Sequence, residues 1–263
     1  MAGLEAPDRQ VESACDGLEG LRRVEAAAYD LIVLDIDGDI DAPGLDGFEL
    51  LERIRKIRPD AKVALMTQAS TPQNVLRSLR EHAFTFFSKP FAVETVRRLV
   101  ERALDASAWE DDIEVLSASP EWLDLKLRCK MDAADRILQF LHEMGSDLPP
   151  AERDKIAIAF REILLNAIEH GGGYDPEKKV SITYRRTGRA ILYQVRDPGK
   201  GFSFGNLPQA AVSHPGTPLA HTEIRERMGL RPGGLGLLVT RRAVDEMIYN
   251  EAGNEVLLIK YLA

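Results

Sequence analysis

One helical stretch of the sequence carries polar residues at a spacing that suits metal and phosphate chemistry. In AERDKIAIAFREILLNAIEHGGG (151–173), apolar residues cover most of the helix surface, which predicts a largely buried helix over about 151–170. Glu162, Asn166 and His170 nevertheless recur at i, i+4 and i+8 and share one stripe. A carboxylate is seldom buried unless it is paired or bound to a metal, and Mg²⁺ takes a few oxygen ligands while keeping water and phosphate. A solvated polar stripe is the alternative, and the stripe alone does not decide between the two.

Two glycine motifs lie further along the chain. DPGKGF (197–202) directly follows the strand-like AILYQVR, so Asp197 ends a strand and can accept a hydrogen bond from an exocyclic amine such as that of adenine. RPGGLGLLVTRRAVDEM (231–247) opens a predicted helix with three glycines, where backbone amides and the helix dipole favour an anion. Those glycines are Gly233, Gly234 and Gly236. Taken singly, each motif also fits a plain turn or a helix entry without a ligand.

The three motifs in this order resemble the GHKL or Bergerat-fold ATPases, and the resemblance covers about residues 120–263. ExxxN on a helix, DxGxG after a strand and GGLGL at a helix start are its elements. REILLNAIEHG and GGLGLLVTRRAVDEM look most like the serine-kinase branch typified by anti-sigma factors. The resemblance implies an α+β two-layer sandwich. The alternating segments WLDLKLRCK, VSITYRRTG, AILYQVRD and NEVLLIKYL independently predict antiparallel strands.

The resemblance also implies residue roles, cofactors and partners. Glu162 would be the catalytic base or orient the nucleophile, and Asn166 would ligate Mg²⁺. Asp197 would contact the adenine amine, with Gly199 and Gly201 shaping the adenine pocket. The three glycines of the second motif would contact the phosphates of ATP, and residues 203–232 would form a mobile lid. The acceptor would be a serine or threonine of a STAS-type anti-anti-sigma protein. A sigma factor is a further expected partner, and dimerisation with a second copy is implied by the resemblance alone.

The N-terminal half follows a different pattern. LIVLD (31–35), VALMT (63–67) and FTFFS (84–88) are apolar runs that alternate with amphipathic helices, which predicts a parallel sheet in an α/β unit. Asp35, Thr67 and Lys89 lie at or just after the strand ends. These features resemble a flavodoxin-like response-regulator receiver domain over residues 9–106. By resemblance, Asp35 would accept a phosphoryl group from an upstream histidine kinase, Thr67 would sense it and Lys89 would contact it.

Two features depart from the receiver pattern. RQVESACDGLEGLRRV matches the family's second strand and second helix, so its first strand, with the acidic pair that holds Mg²⁺, has no counterpart. We therefore expect a domain start that lies outside this chain, or another segment or subunit in that place. In addition, DIDGDIDAPGLDG carries extra residues after Asp35. Its acids Asp37, Asp39 and Asp41 could supply carboxylates, but their spacing does not reproduce the family's site.

The predicted organisation is a receiver-like domain over 1–106, an acidic, serine-containing linker over 107–120 and an ATP-binding kinase domain over 121–263. The net charge of −8 argues against duplex nucleic acid as a partner, since that ligand attracts basic surfaces. Two distant cysteines indicate neither a zinc site nor a disulfide framework. No signal peptide or membrane-length apolar run is evident in the sequence, so we expect a cytoplasmic location and no membrane partner.

Three other functions are weighed against the anti-sigma type of kinase. A sensor histidine kinase needs a helical hairpin with an acceptor histidine before the ATPase domain. His142 lies instead on a helix that the ATPase fold itself requires. The runner-up is a non-catalytic, ATP-dependent switch that binds a partner without transferring phosphate. A plain scaffold, which would not bind ATP, is the third.

Overall fold

The chain divides into two compact units, each with its own sheet. A computed structural model describes residues 10–37, 46–105, 112–201 and 236–262. The units are Met1–Asp111 and Asp112–Ala263. Within the described residues, the first has a three-stranded sheet and the second a six-stranded one. No helix in these ranges is both long enough and apolar enough to cross a membrane.

The first unit is an α/β unit around a parallel sheet in the order β1-β2-β3. The three predicted strands and the helices between them are present, which confirms the flavodoxin-like class. The elements in chain order are α1 Gly17–Ala26, β1 Ile32–Asp35, α2 Gly47–Ile57, β2 Val63–Thr67, α3 Pro72–Arg80, β3 Thr85–Ser88 and α4 Val93–Asp105.

Local sequence signals explain where these elements begin. Asp46 caps α2 in a reciprocal capping box with Glu49, and Thr71 caps α3 with proline at the next position. Strand β2 is central, and its residues 63–65 are fully buried, as an apolar run between two strands requires. Consecutive parallel strands therefore bring their carboxyl ends, and the residues that follow them, to one edge of the sheet.

The N-terminal part of this unit differs from the prediction. Residues 10–14 precede α1 without forming the expected second strand, and Asp16 instead caps the helix through the Glu19 amide. Among the described residues, β1 pairs with β2 and forms one edge of the sheet. Val33 of β1 is accordingly 38% exposed although its neighbours in sequence are apolar.

The second unit is an antiparallel sheet in the order β4-β5-β6-β7-β9-β8 with packed helices, which confirms the predicted α+β class. Phe160 of helix α6 packs against Tyr193 of β7 with ring centroids 4.7 Å apart. The elements in chain order are β4 Ile113–Ser119, β5 Trp122–Arg128, α5 Met131–Met144, α6 Pro150–Asn166, a π-helix Ala167–Gly172, β6 Lys179–Arg186, β7 Ala190–Arg196, α7 Gly236–Ala243, β8 Glu246–Tyr249 and β9 Glu255–Tyr261.

Three predictions for this unit are wrong in detail. The linker predicted over 107–120 contains β4, which pairs with β5 and buries Ile113 while leaving Leu116 54% exposed. An edge strand with one wet face can carry acidic and serine residues, so composition alone was misleading. The helix predicted to run to Met247 ends at Ala243, and Met247 lies in β8, paired with Leu258 of β9.

The third difference concerns the end of the long helix that carries the polar stripe. The prediction continued a regular α-helix to residue 170. The structure ends α6 at Asn166 and widens the next six residues into a π-helix that stops at Gly173, whose φ of +67° is left-handed. Such single π turns are rare and are frequently found at functional sites.

Candidate functional site

The carboxylate of Glu162 lies at the start of helix α7. A Cβ placed on Gly236 would lie 2.5 Å from Glu162 Oε2, so the first residue of α7 approaches the carboxylate as closely as glycine allows. Glu162 is 32% exposed, and Arg161 Nη1 lies 3.6 Å from its Oε1. Asn166 follows one turn later and is partly exposed. The pair is therefore neither sealed in the core nor fully solvated.

Asp197 stands at the end of β7 in a tight turn. Its Oδ1 accepts a hydrogen bond from the Gly199 amide at 2.7 Å. Its own amide donates to the carbonyl of Asn254 at 2.9 Å, which fixes the strand end against the β8–β9 turn. One oxygen of the side chain is thus anchored by the turn.

The π-helix packs directly on this turn through glycine. A Cβ on Gly171 would lie 2.3 Å from Asp197 Oδ1, and a Cβ on Gly199 would lie 2.9 Å from Gly171 Cα. One residue later, a Cβ on Gly172 would lie 2.3 Å from Cys129 Sγ. Gly171 and Gly172 were not predicted as site residues. The run of three glycines at the end of the helix that carries the polar stripe was the available signal.

Burial changes the acidity of the groups around this turn. Loss of solvent raises the pKa of the Asp197 carboxyl above its usual value, and the hydrogen bond from the Gly199 amide opposes that rise. Burial likewise raises the pKa of the Cys129 thiol, which is fully buried. Cys129 is therefore a packing residue, whereas Asp197 is a partly desolvated acceptor for a hydrogen-bond donor.

Gly201 closes the turn against the neighbouring hairpin. Its φ is +76°, and a Cβ there would lie 1.9 Å from the Ala252 carbonyl oxygen. The Asn254 side-chain amide donates to the Gly199 carbonyl at 3.2 Å. Both predicted pocket glycines thus have a structural reason for lacking a side chain, because the space is occupied by the hairpin backbone at Gly201 and by the π-helix backbone and Asp197 at Gly199.

Part of the predicted nucleotide site lies outside the described residues. Gly233, Gly234 and the predicted lid over 203–232 belong to this part, so the structure does not test their roles. The residues that are described contain no group of three histidine, cysteine or acidic side chains able to hold a metal. Asn166 fits a Mg²⁺ that retains water and phosphate, because this residue is partly exposed and lies one turn from Glu162.

The predicted receiver residues come together at the carboxyl edge of the parallel sheet. Lys89 Nζ donates to Asp35 Oδ2, and the Lys89 amide donates to the Thr67 carbonyl at 2.7 Å. Asp37, two residues after Asp35, joins them: the Thr67 hydroxyl and the Gln68 amide both donate to its carboxylate. The sequence predicted Asp35, Thr67 and Lys89 as site residues, and it named Asp37 only together with Asp39 and Asp41 as an acid that could supply a carboxylate.

His142 has surroundings of its own within the second unit. Its Nε2 is 3.7 Å from Asp154 Oδ1, and the ring lines a cavity between α5, α6 and the sheet together with Phe160 and Tyr193. This position on a packing helix matches the structural role expected for it.

Comparison with known proteins finds a matching family for each of the two units. Residues 127–260 match the histidine kinase-like ATPase domain, and residues 2–101 match the response regulator receiver domain. Sporulation initiation phosphotransferase F of Bacillus subtilis is 33% identical over 95 residues, which cover 36% of this chain and 73% of that protein. The DNA-binding transcriptional regulator NtrC of Azospirillum brasilense is 33% identical over 129 residues, 44% of this chain but 26% of that protein.

Among solved structures, a CheY-like receiver domain protein from Methanospirillum hungatei is 30% identical. The match covers 40% of this chain and 80% of that one, with a TM-score of 0.36. The matched family models and the identity shared with the Bacillus subtilis protein, together with the two sheets described above, give one conclusion. The chain belongs to the histidine kinase-like ATPase domain family, and a response regulator receiver domain precedes that ATPase domain.

Proposed function

We propose that the chain is an ATP- and Mg²⁺-dependent serine/threonine protein kinase of the anti-sigma-factor type, regulated by its receiver domain. The supporting observation is one continuous helical segment, α6 and the π-helix, which reaches two sites at once. Glu162 on it contacts the start of α7, and Gly171 at its end contacts Asp197. Glu162 and Gly171 are nine positions apart, or about 13 Å along a helix axis. That span suits a nucleotide with adenine at Asp197 and its terminal phosphate near Glu162.

Each side chain then has a defined task. Asp197 Oδ accepts the adenine amine, and Asn166 Oδ1 holds the metal ion. When bound, Mg²⁺ supplies positive charge that offsets the charge of the triphosphate. Glu162 orients the acceptor hydroxyl and takes its proton as the new O–P bond forms and the bond to the leaving ADP breaks. The N-terminus of α7 offers amides to the phosphates.

The proposed acceptor is a serine or threonine of a STAS-type anti-anti-sigma protein, with a sigma factor as the sequestered partner. The test incubates the chain with Mg-ATP and such a protein and measures phosphate transfer by mass spectrometry. Glu162→Ala should reduce transfer at least roughly a hundredfold, the usual range for a general base, while ATP binding persists. Glu177→Ala is the control, since that carboxylate is 84% exposed.

The alternative function, a non-catalytic switch, predicts a different pattern. Wild-type protein would bind both ATP and the partner without any transfer, and Glu162→Ala would behave like wild type. Failure of the wild-type chain to bind labelled ATP would exclude both functions and favour a scaffold. One observation favours a kinase over a switch. The Glu162 carboxylate lies against the first turn of α7, where a negative charge adds nothing to the affinity for phosphate.

The receiver domain would be regulated through Asp35. We propose that an upstream histidine kinase, or a small phosphodonor, transfers a phosphoryl group to this carboxylate. Phos-tag electrophoresis after incubation with acetyl phosphate checks this, because only a shift that disappears in Asp35→Ala supports it.

A further inference from the structure

The receiver domain contains an anion site made of three donors. The Thr67 hydroxyl is one donor and the Gln68 amide is the second. The Lys89 ammonium is the third, and it is 23% exposed. A hydroxyl, a backbone amide and an ammonium converging on one point form a donor set suited to an oxyanion such as a phosphoryl group.

The chain itself fills this site. One oxygen of Asp37 accepts from Thr67 and the other from Gln68, while Lys89 Nζ lies 3.8 Å from Oδ2. The two oxygens of the carboxylate are thus used separately, as two oxygens of a phosphoryl group would be. Asp37 is 25% exposed, and its own amide donates to Asp35 Oδ1 at 3.1 Å, which ties it to the strand end.

The charges around Lys89 disfavour a second anion at the site while the Asp37 carboxylate occupies it. Asp35 and Asp37 share the Lys89 ammonium, which balances one of their two negative charges. A phosphoryl group on Asp35 would carry up to about two negative charges in place of the single charge of the carboxylate, within the same few ångströms. Like charges at this separation repel strongly in a partly buried site, so the incoming group and the Asp37 carboxylate compete for the same donors.

We propose that Asp37 is a tethered occupant of this anion site. The receiver domain thereby holds Thr67, Gln68 and Lys89 in the anion-bound arrangement without a phosphoryl group on Asp35. The tether makes the carboxylate an intramolecular competitor whose effective concentration is in the millimolar range or above. Any phosphorylation of Asp35 then requires Asp37 to leave. This inference concerns the receiver domain and does not depend on the proposed kinase activity.

The test follows the Gln68 backbone amide of the full chain by NMR during titration with inorganic phosphate. In wild type, this resonance should not move beyond the change seen with chloride at equal ionic strength. In Asp37→Ala, the amide should lose its carboxylate-bonded shift and recover it saturably as phosphate is added, with an apparent affinity at least about tenfold higher than in wild type. Asp60→Ala, which removes an exposed acid in the turn before β2, controls for net charge and should behave like wild type.

A second readout keeps the inference testable if phosphate binds weakly. Asp37→Ala should raise the fraction of chain shifted on Phos-tag gels by acetyl phosphate, and the shift should vanish in Asp35→Ala/Asp37→Ala. The inference is overturned if the Gln68 resonance is the same in wild type and Asp37→Ala. It is equally overturned if wild type responds to phosphate as strongly as the variant. The kinase assay on a STAS-type protein is independent of both results.

Discussion

At the scale of single residues, the candidate nucleotide site depends on glycines that let backbone approach a carboxylate. Gly171 is one such glycine, because a side chain there would occupy the space taken by Asp197 Oδ1. Gly236 does the same for Glu162. The site is therefore formed by close packing as much as by the polar side chains that the motifs display.

Gly171→Ala should displace Asp197 and weaken ATP binding at least about tenfold, the loss of one charged hydrogen bond. It should also lower the free energy of unfolding by about 1–3 kcal/mol, since overpacking forces neighbouring atoms to move. Isothermal titration with ATP and urea unfolding measure the two effects. Gly188→Ala is the matched control, because a Cβ there meets nothing within 4 Å. Equal behaviour of the two variants would contradict the packing role of Gly171.

The acidity of Asp197 predicts a pH dependence of stability. Burial raises its pKa above the ordinary value of 3.8, so folding takes up a proton between the unfolded-state and folded-state pKa values. The free energy of unfolding therefore falls as the pH rises through this interval. Above the folded-state pKa, the buried carboxylate is ionised and its full destabilising effect is present. Below the ordinary value the protonated acid carries no such cost.

Asp197→Asn should remove this dependence while weakening ATP binding. Urea unfolding from about pH 3 to pH 7 should show the variant gaining stability relative to wild type as the pH rises. A difference that stays constant across this range would show that the carboxyl is not desolvated. Gln194→Asn on the exposed face of β7 controls for a polar substitution in the same strand.

At the scale of elements, strand β4 lies in a segment whose acidic and serine-containing composition had predicted a linker. It extends the antiparallel sheet as an edge strand, and it buries Ile113 while pairing along its length with β5. A fragment of residues 121–263 should therefore be less stable than one of residues 112–263, by at least roughly 2 kcal/mol for the lost side-chain burial and edge pairing. Denaturant unfolding of the two fragments measures the difference. Equal midpoints would mean that β4 is dispensable.

The same scale explains the π-helix. A regular continuation of α6 rotates each following residue by about 100°, whereas the wider turn shifts the residues after Asn166 relative to those before it. Gly171 and Gly172 meet Asp197 and Cys129 with this altered phase. The bulge thus lets one helical segment serve two contacts that a straight helix of the same sequence would place differently.

At the scale of the whole molecule, the two units have separate sheets and separate clusters of polar residues. Residues 112–263 contain every described residue of the candidate nucleotide site. That fragment alone should therefore bind ATP with the affinity of the full chain in the absence of phosphodonors. Isothermal titration of both proteins tests this. A fragment that is folded by circular dichroism but fails to bind ATP would show that the receiver domain completes the site.

The amino-acid sequence alone was enough to predict both fold classes, since buried parallel strands are apolar runs and half-buried antiparallel strands alternate. It also indicated Glu162, Asn166, Asp197 and the receiver trio, because those residues stand at helix stripes and strand ends. The sequence did not predict edge strand β4 or the end of α7, because a strand with one solvent-exposed face and a short helix both have weak hydrophobic patterns.

Only the tertiary structure decided which atoms meet. The contact of Gly171 with Asp197 joins residues from separate elements, and the approach of Glu162 to Gly236 spans more than seventy positions. The occupation of the Thr67 and Gln68 donors by Asp37 is likewise invisible in the chain order. Sequence periodicity reports which face of an element is buried, but the distance between two side chains on different elements depends on how those elements pack.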